Sequence, residues 1–314
     1  MIYDNYAFKL PPEKIVRVIT NTDAKNEADD QFAIVQAMLS PKFDNVGYIA
    51  AHFGNKRCDD SMERSRKELE LIFDLMGFPK DLIYDGAPVA LPDRETPVDS
   101  PGARLIIEEA MKDDKRKLYV TFFGPLTDLA SAYLIEPRIA GRLTAIWIGG
   151  GKYPNGAPEF NLRNDINAAN VVFASGIDIW QVPKNVYEMM PVSIAELEMR
   201  LYDKGAIGKY LLDQLVEHSF EDAPRKSDFR TGETWVLGDN PAVGLILFEH
   251  RFCYDMIPAP FITDEMFYVH NGENCPIRVY NSIDPRLILE DMYAKIELFH
   301  KNNPDGLPPA QRRM

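Results

Sequence analysis

A run of acidic and amide side chains near the amino terminus is the part of the sequence best suited to chemistry. The run consists of Asn21, Asp23, Asn26, Glu27, Asp29 and Asp30. Helix capping accounts for one such residue, because Asp and Asn satisfy the free N–H groups at a helix start. Three aspartates within eight positions exceed that need, since carboxylates so close repel one another unless a cation joins them. Hard divalent cations take carboxylate oxygens, so the run predicts a metal site.

Further polar residues stand at comparable places later in the chain. Asn55 follows the apolar segment 46–50, Glu159 and Asn161 follow the glycine run 149–151, and Asp239 precedes an apolar stretch. Glu159 offers only acceptors when ionised, whereas the Asn161 amide offers donors and acceptors. Each residue alone is explained as a helix cap or a loop residue. Their shared position at the ends of predicted strands favours one common site.

The elements that must position these residues alternate between two patterns. Apolar, β-branched segments predict strands at residues 16–20, 46–50, 118–123, 143–148 and 177–182, and amphipathic stretches predict helices near residues 32–39, 59–76, 127–134, 165–176 and 242–248. Such alternation is typical of an α/β fold with a mostly parallel central sheet flanked by helices. Ligands bind such sheets at the carboxyl ends of the strands. We therefore expect the polar residues to meet there.

The last third of the chain has a more mixed pattern. It predicts helical pieces over residues 191–212, a charged loop over 217–230, strands near 254–257, 267–270 and 277–280, and a final helix over 285–299. Residues 217–235 are interpreted as a mobile loop over the site, and residues 301–314 as a frayed tail. No linker or repeat divides the sequence, which favours one domain over residues 1–314.

Composition excludes several classes of function. The 48 acidic and 35 basic residues give a formal charge of −13, which disfavours nucleic-acid polymers and anionic membranes as partners. Three scattered cysteines argue against a disulfide framework, and the five histidines show no zinc-binding spacing. The sequence shows no apolar leader and no 18-residue apolar run, which predicts a cytoplasmic protein. A secreted or periplasmic location would require a leader removed beforehand.

The polar motifs together resemble a known family. Residues 21–34 read NTDAKNEADDQFAI, where the nucleoside hydrolases of the inosine–uridine-preferring, calcium-dependent type open with D-T-D-P-G-x-D-D. The order then continues as in that family. It runs through Gly54–Asn55, Asp85-Gly86-Ala87, the GPLTD of residues 124–128, a Gly-Gly turn, Glu159-Phe160-Asn161 with Asp165, and Asp239 with Pro241. The resemblance covers roughly residues 15–250 and implies the Rossmann-like fold of that family.

The resemblance also implies a ligand set and a reaction. Calcium would be held by Asp23, Asp30, the main-chain carbonyl of Phe123 and Asp239, and sugar hydroxyls and a water would complete its shell. Asp23 would be the general base that activates this water for direct attack on the anomeric carbon, with inversion. The residues implied to hold the sugar hydroxyls are Asp29, Asn55, Glu159 and Asn161. The substrate would be a nucleoside or a related riboside. Family members are commonly dimers or tetramers, so the resemblance leaves a homo-oligomer open.

The sequence departs from the family pattern at three places. Asn21 replaces the first aspartate, and five residues, 24–28, replace the P-G-x between Asp23 and Asp29, so the loop is two residues longer. Gly238 stands where the family often carries a histidine that protonates a purine leaving group. The other candidates for such an acid are His52, His218, Arg225, Arg230, Glu233 and Trp235. The simpler interpretation is a packed strand histidine for His52 and a solvated loop for the rest.

Rival interpretations are weaker. A phosphatase of the haloacid dehalogenase type would need a nucleophilic aspartate where Asn21 stands and a second late aspartate where Val243 stands. The glycine run 149–151 is followed by Pro154 rather than by a helix start, which disfavours a dinucleotide site. Two alternatives stay open. One is a non-catalytic, calcium-dependent sugar-binding protein, and the other is a hydrolase of a non-nucleoside glycoside.

Overall fold

Parallel β-strands form the centre of the protein. The structure, a computed structural model, describes residues 2–55, 58–222, 232–248 and 251–303. Its strands are β1 (Val16–Thr22), β2 (Phe43–Ala50), β3 (Ile83–Asp85), β4 (Leu118–Phe122), β5 (Thr144–Ile148), β6 (Asp178–Val182), β7 (Pro191–Ser193), β8 (Thr234–Val236), β9 (Tyr254–Pro258), β10 (Phe261–Ile262), β11 (Tyr268–Val269) and β12 (Pro276–Tyr280). Long apolar segments such as residues 118–122 are buried throughout, which explains why they lack the alternation of half-exposed strands.

The main sheet has the strand order β3-β2-β1-β4-β5-β6-β12-β9. Every neighbouring pair in it is parallel except β9 with β12. Strands β2 and β3 follow β1 on one side of the sheet, and β5 and β6 follow β4 on the other. The strand order therefore reverses between β1 and β4, and a crevice opens at the carboxyl ends of these two strands. The predicted α/β class with a mostly parallel central sheet is confirmed.

Helices cover both faces of the sheet. They are α1 (Asp30–Met38), α2 (Ser61–Met76), α3 (Pro101–Met111), α4 (Thr127–Ile135), α5 (Phe160–Asn164), α6 (Ile166–Ala174), α7 (Lys184–Tyr187), α8 (Ile194–Leu201), α9 (Gly205–Asp222), α10 (Asn240–Leu247) and α11 (Pro285–Asn302). One core includes residues of α1, α10 and α11, and the other includes residues of α3, α4 and α6. Every residue of α1 is buried, which fixes the helix that carries Asp30. No helix in the described ranges is long and apolar enough to cross a membrane.

The carboxyl-terminal third corrects part of the sequence interpretation. Residues 217–222, predicted to begin a charged loop, form the end of α9 instead. Charged residues here continue a helix whose other side is apolar, so charge alone did not indicate a loop. Residues 223–231 and 304–314 lie outside the described part, so the mobile loop and the frayed tail stay predictions. The strands β7 and β8 pair with each other apart from the main sheet.

Candidate active site

Three carboxylates meet at the crevice beyond β1. Asp29 and Asp30 lie at the amino end of α1, and Asp239 is the N-cap residue of α10. One oxygen atom from each of the three lies within 4.8 Å of the others, and all three residues are buried. Asp23, directly after β1, lies close enough for its charge to act on Asp239. The structure thus brings together the four aspartates singled out in the sequence.

Burial and mutual repulsion set the protonation of this cluster. Loss of hydration is the largest cause that raises the pKa of Asp23, Asp29 and Asp239 well above its ordinary value, and the charges of neighbouring carboxylates raise it further. Burial likewise raises the pKa of Asp30 to about 7, although the Thr22 hydroxyl donates a hydrogen bond to that carboxylate. Without a cation, the cluster therefore tends to hold protons near neutral pH.

Asp23 has unused hydrogen-bonding capacity inside the cluster. It is 1% exposed, and its Oδ2 atom has no hydrogen-bond partner in the described part of the chain. A β-carbon on Gly124 would lie 2.8 Å from the Asp23 Cγ atom, so a glycine in the turn after β4 makes room for this side chain. A buried carboxylate oxygen without a donor fits a hard cation or a reacting water.

Asn161 joins the carboxyl ends of β4 and β5. Its Nδ2 amide donates to the carbonyl oxygens of Phe123 at 2.6 Å and of Ile148 at 2.9 Å. These residues line a small cavity of about 50 Å³. The described residues that line it are Asp23, Asn26, Glu27, Asp29, Asp30, Phe123, Ile148, Glu159, Phe160, Asn161, Tyr187, Gly238 and Asp239. Seven of the eight site residues predicted from the sequence thus share one cavity.

Glu159 is held rigidly on the wall of this cavity. It caps α5, and its carboxylate accepts hydrogen bonds from the main-chain N–H groups of Gly150 at 2.9 Å, Asn161 at 3.1 Å and Leu162 at 2.8 Å. The Tyr187 hydroxyl donates a fourth bond at 3.0 Å. These four donors fix the position of the Glu159 carboxylate relative to the aspartates.

Asn55 is the predicted site residue that the structure does not bring to this cavity. It is exposed and lines a separate cavity of about 240 Å³ together with His52, Asp59 and Asn164. Its position after β2 was read correctly, but the chain turns at Gly54, whose φ is +76°, and carries Asn55 to the neighbouring cavity. Its assignment to a sugar hydroxyl stays a prediction.

His52 is packed and neutral, as the simpler interpretation expected. Its Nδ1 atom accepts from the Gly54 N–H at 3.1 Å, so Nε2 carries the proton and donates to the Thr127 hydroxyl at 2.8 Å. That hydroxyl donates to Asp165 at 2.7 Å. Burial lowers the pKa of His52 to about 4, so this side chain supplies no proton to a leaving group near neutral pH.

Replacing His52 with phenylalanine should therefore affect folding rather than proton transfer. The variant leaves the Gly54 N–H and the Thr127 hydroxyl without their ring partner, at a cost of about 1–3 kcal/mol in the free energy of unfolding. Urea denaturation measures this loss. The pH dependence of kcat between pH 6 and 8 should match that of the unmodified protein, and a lost ionisation in that range would contradict this assignment.

The contacts of Asn21 explain why asparagine is tolerated where the family pattern has its first aspartate. Its Nδ2 amide donates to the Asp128 carboxylate at 2.8 Å, and that carboxylate also accepts from the Ala87 N–H and the Ser100 hydroxyl. All of these atoms are buried. The amide thus braces the turn by hydrogen bonding, where an aspartate would set a second carboxylate beside Asp128.

The longer first loop adds residues to which the family resemblance gave no role. Glu27 and Asn26 line the cavity, and Tyr187 lines it from α7. Side chains outside the loop hold it in place: Gln31 donates to the Ala24 carbonyl at 2.6 Å, and Gln214 donates to the Ala28 carbonyl at 2.9 Å. The position of Tyr187 shortly after β6 was the available signal for that residue, because every loop after a parallel strand faces this edge.

Gly238 lies tightly against the cluster. Its N–H donates to Asp29 Oδ2 at 2.9 Å, and a β-carbon there would lie 3.2 Å both from that oxygen and from the Tyr187 ring. The other candidates for a leaving-group acid that lie in the described ranges do not line the cavity. His218 packs against Trp235 with 5.7 Å between ring centres, Glu233 is exposed, and residues 225 and 230 lie outside the described part.

Introducing histidine at position 238 should not create a leaving-group acid. The imidazole would displace Tyr187 or Asp29, so we expect a lower melting temperature and a lower kcat on purine nucleosides. Thermal unfolding and steady-state kinetics measure the two effects. Gly238→Ala, which meets the same contacts with less bulk, should show a smaller loss of both. If the Gly238→His variant cleaves purine nucleosides faster than the unmodified protein, the imidazole fits beside Asp29 and Tyr187 and the prediction is wrong.

The fold and the site define the class of this protein: an α/β protein of the doubly wound type with a buried carboxylate cluster at the carboxyl ends of its parallel strands. The family profile described as inosine-uridine preferring nucleoside hydrolase matches residues 18–298. This match covers most of the chain, and the protein therefore belongs to that family.

Similar proteins agree with this assignment. Uridine nucleosidase 1 of Arabidopsis thaliana is 27% identical in an alignment 224 positions long, which covers 63% of this chain and 65% of that protein. Among solved structures, a plant nucleoside hydrolase superposes with a TM-score of 0.72 at 19% identity, and a purine-preferring ribonucleoside hydrolase from Gardnerella vaginalis with 0.72 at 20%. Both comparisons cover 91% of this chain and 99% of the other. At these identities the structural likeness concerns the fold.

Proposed function

We propose that this protein hydrolyses the N-glycosidic bond of ribonucleosides or related ribosides with the help of a bound calcium ion. The observation that carries the proposal is the buried, unpartnered Oδ2 atom of Asp23 beside the cluster of Asp29, Asp30 and Asp239. Membership of the nucleoside hydrolase family supports the reaction class. The names of the similar proteins include uridine nucleosidase and purine-preferring hydrolase, so the preferred base stays open.

The donor set fits a hard divalent cation. Asp23, Asp30, Asp239 and the Phe123 carbonyl would hold it, and Asp29 lies close enough to serve as a ligand as well. All of these donors are oxygen atoms, which calcium prefers, and calcium accepts the irregular shells that loops provide. When bound, the cation offsets the repulsion among the carboxylates and lowers the pKa of an adjacent water.

Asp23 would act as the general base. Its unpartnered oxygen would take a proton from the water that attacks the anomeric carbon, and its burial supports this role because bulk solvent is kept away from that oxygen. The C1′–N bond then breaks while the water oxygen bonds to C1′. Because no side-chain nucleophile intervenes in this scheme, the anomeric configuration inverts.

The cavity wall would orient the sugar and stabilise the transition state. Asp29 would accept hydrogen bonds from sugar hydroxyls. The Glu159 carboxylate, already held by four protein donors, would contact the sugar only where a hydroxyl replaces the Tyr187 donor, and the Asn161 amide fixes the strand ends nearby. The ring develops positive charge as the base departs, and the surrounding carboxylates favour that charge because they are already in place. The same negative charge should disfavour nucleotides, so a 5′-phosphate on the substrate should raise KM.

None of the described residues that line the cavity is an evident acid for the leaving group. The described lining contains no histidine, lysine, arginine or cysteine, and the Tyr187 hydroxyl donates to Glu159, while burial raises its pKa well above the ordinary value. Ribosides whose aglycone departs without protonation, such as 4-nitrophenyl riboside, should therefore be cleaved faster than inosine or uridine. The lack of an evident leaving-group acid among the described lining residues also supports a non-nucleoside glycoside as a natural substrate.

The decisive experiment measures release of reducing sugar from nucleosides and aryl ribosides, with calcium and after its removal by a chelator. Calcium-dependent cleavage of at least one riboside is the expected result. A 5′-nucleotide serves as the matched negative substrate. Calcium-dependent sugar binding without any cleavage would instead favour the non-catalytic sugar-binding alternative, and calcium-independent cleavage would contradict the proposed metal.

A further inference from the structure

A second cavity opens at the opposite edge of the sheet, at the amino ends of β1 and β4. It has a volume of about 560 Å³, within the ~300–1,000 Å³ range of small-molecule sites. The described residues that line it are Glu13, Lys14, Ile15, Val16, Lys42, Lys115, Arg116, Lys117, Tyr119, Leu247, Phe248 and Arg251. We call this cavity the basic cleft. Six cations and one carboxylate stand among these described residues, in a protein whose formal charge is −13.

Segments that are distant in sequence supply these cations. Two of the cationic side chains, Arg116 and Lys42, are held in place by other protein groups. Arg116 forms ion pairs with Asp44 and Asp114, each at 2.6 Å. The Lys42 ammonium donates to the Ile246 carbonyl at 2.5 Å. Because these side chains are already ordered, a ligand would meet a shaped wall rather than a set of free chains.

Three further cations on the rim are available to a ligand. Lys14, Lys115 and Arg251 are exposed, and none of the described carboxylates lies within 4.0 Å of their charged groups. They come from three different segments: the turn before β1, the turn before β4 and the segment after α10. Three like charges around one concave surface repel one another, and an anion bound between them would relieve that repulsion.

The chemistry of the lining indicates which anion fits. Lysine and arginine side chains bind phosphate through charge-assisted hydrogen bonds. The apolar side chains of Ile15, Leu247 and Phe248 form part of the same lining, so one part of the ligand can be apolar. We infer that the basic cleft binds a small organic phosphate of the size of a nucleoside monophosphate.

This inference is independent of the proposed hydrolysis. β1 runs from the basic cleft at Val16 to the acidic cavity at Asp23, and α10 runs from Asp239 back to Leu247. The two cavities therefore lie at opposite ends of the same elements. A phosphate would be repelled by the carboxylates of one cavity and attracted by the cations of the other.

Titration calorimetry of AMP into the full-length protein tests the inference. The buffer should be free of divalent ions and of low ionic strength, since exposed charges are screened by salt. The unmodified protein should bind AMP, and the charge-reversed variant Lys115→Glu/Arg251→Glu should bind it at least about ten-fold more weakly, because the change removes two cations that would bind the phosphate and adds two carboxylates that repel it.

A matched variant controls for the overall charge. Lys67→Glu/Arg142→Glu changes the net charge equally at exposed positions outside the basic cleft and should leave AMP affinity unchanged. Riboside hydrolysis and melting temperature should be the same in all three proteins. If the charge reversal unfolds the protein, Lys115→Gln should still weaken AMP binding several-fold. Absence of AMP binding at millimolar concentration, or equal affinity in both double variants, would overturn the inference.

Discussion

Replacing Asp23 with asparagine should lower kcat for riboside hydrolysis by about 10³-fold, because the change removes the proposed general base and a proposed metal ligand together. Asparagine has nearly the same size as aspartate, so the close contact with Gly124 is kept and the fold should persist. The measurement is the steady-state rate of sugar release at saturating calcium. Thermal unfolding of the same samples shows whether the variant is folded.

Two controls separate the roles of Asp23. Asp81→Asn changes the charge equally at an exposed position far from the cavity and should retain full activity. Calorimetric titration with calcium shows how much of the loss reflects metal binding. If the variant binds calcium normally and still loses activity, the base role is supported. Activity above about a tenth of the unmodified protein would show that another group deprotonates the water.

Without the metal, the free energy of unfolding should fall as the pH rises. The folded protein raises the pKa of Asp30 to about 7 and that of Asp23, Asp29 and Asp239 well above the ordinary value, chiefly through burial. A carboxyl with a raised pKa binds more protons in the folded state than in the unfolded state. The free energy of unfolding therefore falls as the pH rises from the unfolded value near 4 toward the folded values.

Thermal unfolding between pH 4.5 and 8 checks this prediction. Chelator-treated protein should lose melting temperature across the interval, and calcium at 1,000 times its Kd should restore about 4 kcal/mol at neutral pH. Binding should release protons, because the carboxylates must ionise to hold the ion. Asp239→Asn should reduce both the pH effect and the calcium effect. If the melting temperature of the metal-free protein does not change between pH 4.5 and 8, the raised pKa of the buried carboxyl groups is contradicted.

Much of the fold was accessible from the sequence because its signals are local. Residues 118–122 and 145–148 are buried, so these two segments are almost entirely apolar and short enough to be recognised as strands. The aspartates at positions 23, 29 and 30 are neighbours in the chain, so their crowding at one helix start was visible without a structure. By contrast, β3 has three residues and the end of α9 is charged, and neither feature has a strong local pattern.

What the sequence by itself determined is the α/β class and the residue types of the acidic site. Only the tertiary structure decided which loops meet. It places Asp239 within 4.8 Å of Asp29 and Asp30, carries Asn55 to another cavity, and packs Tyr187 against Gly238. It also gathers the basic cleft from segments far apart in the chain. The physical reason is that periodicity and capping depend on adjacent residues. The distance between two loops depends instead on how the whole sheet twists and packs.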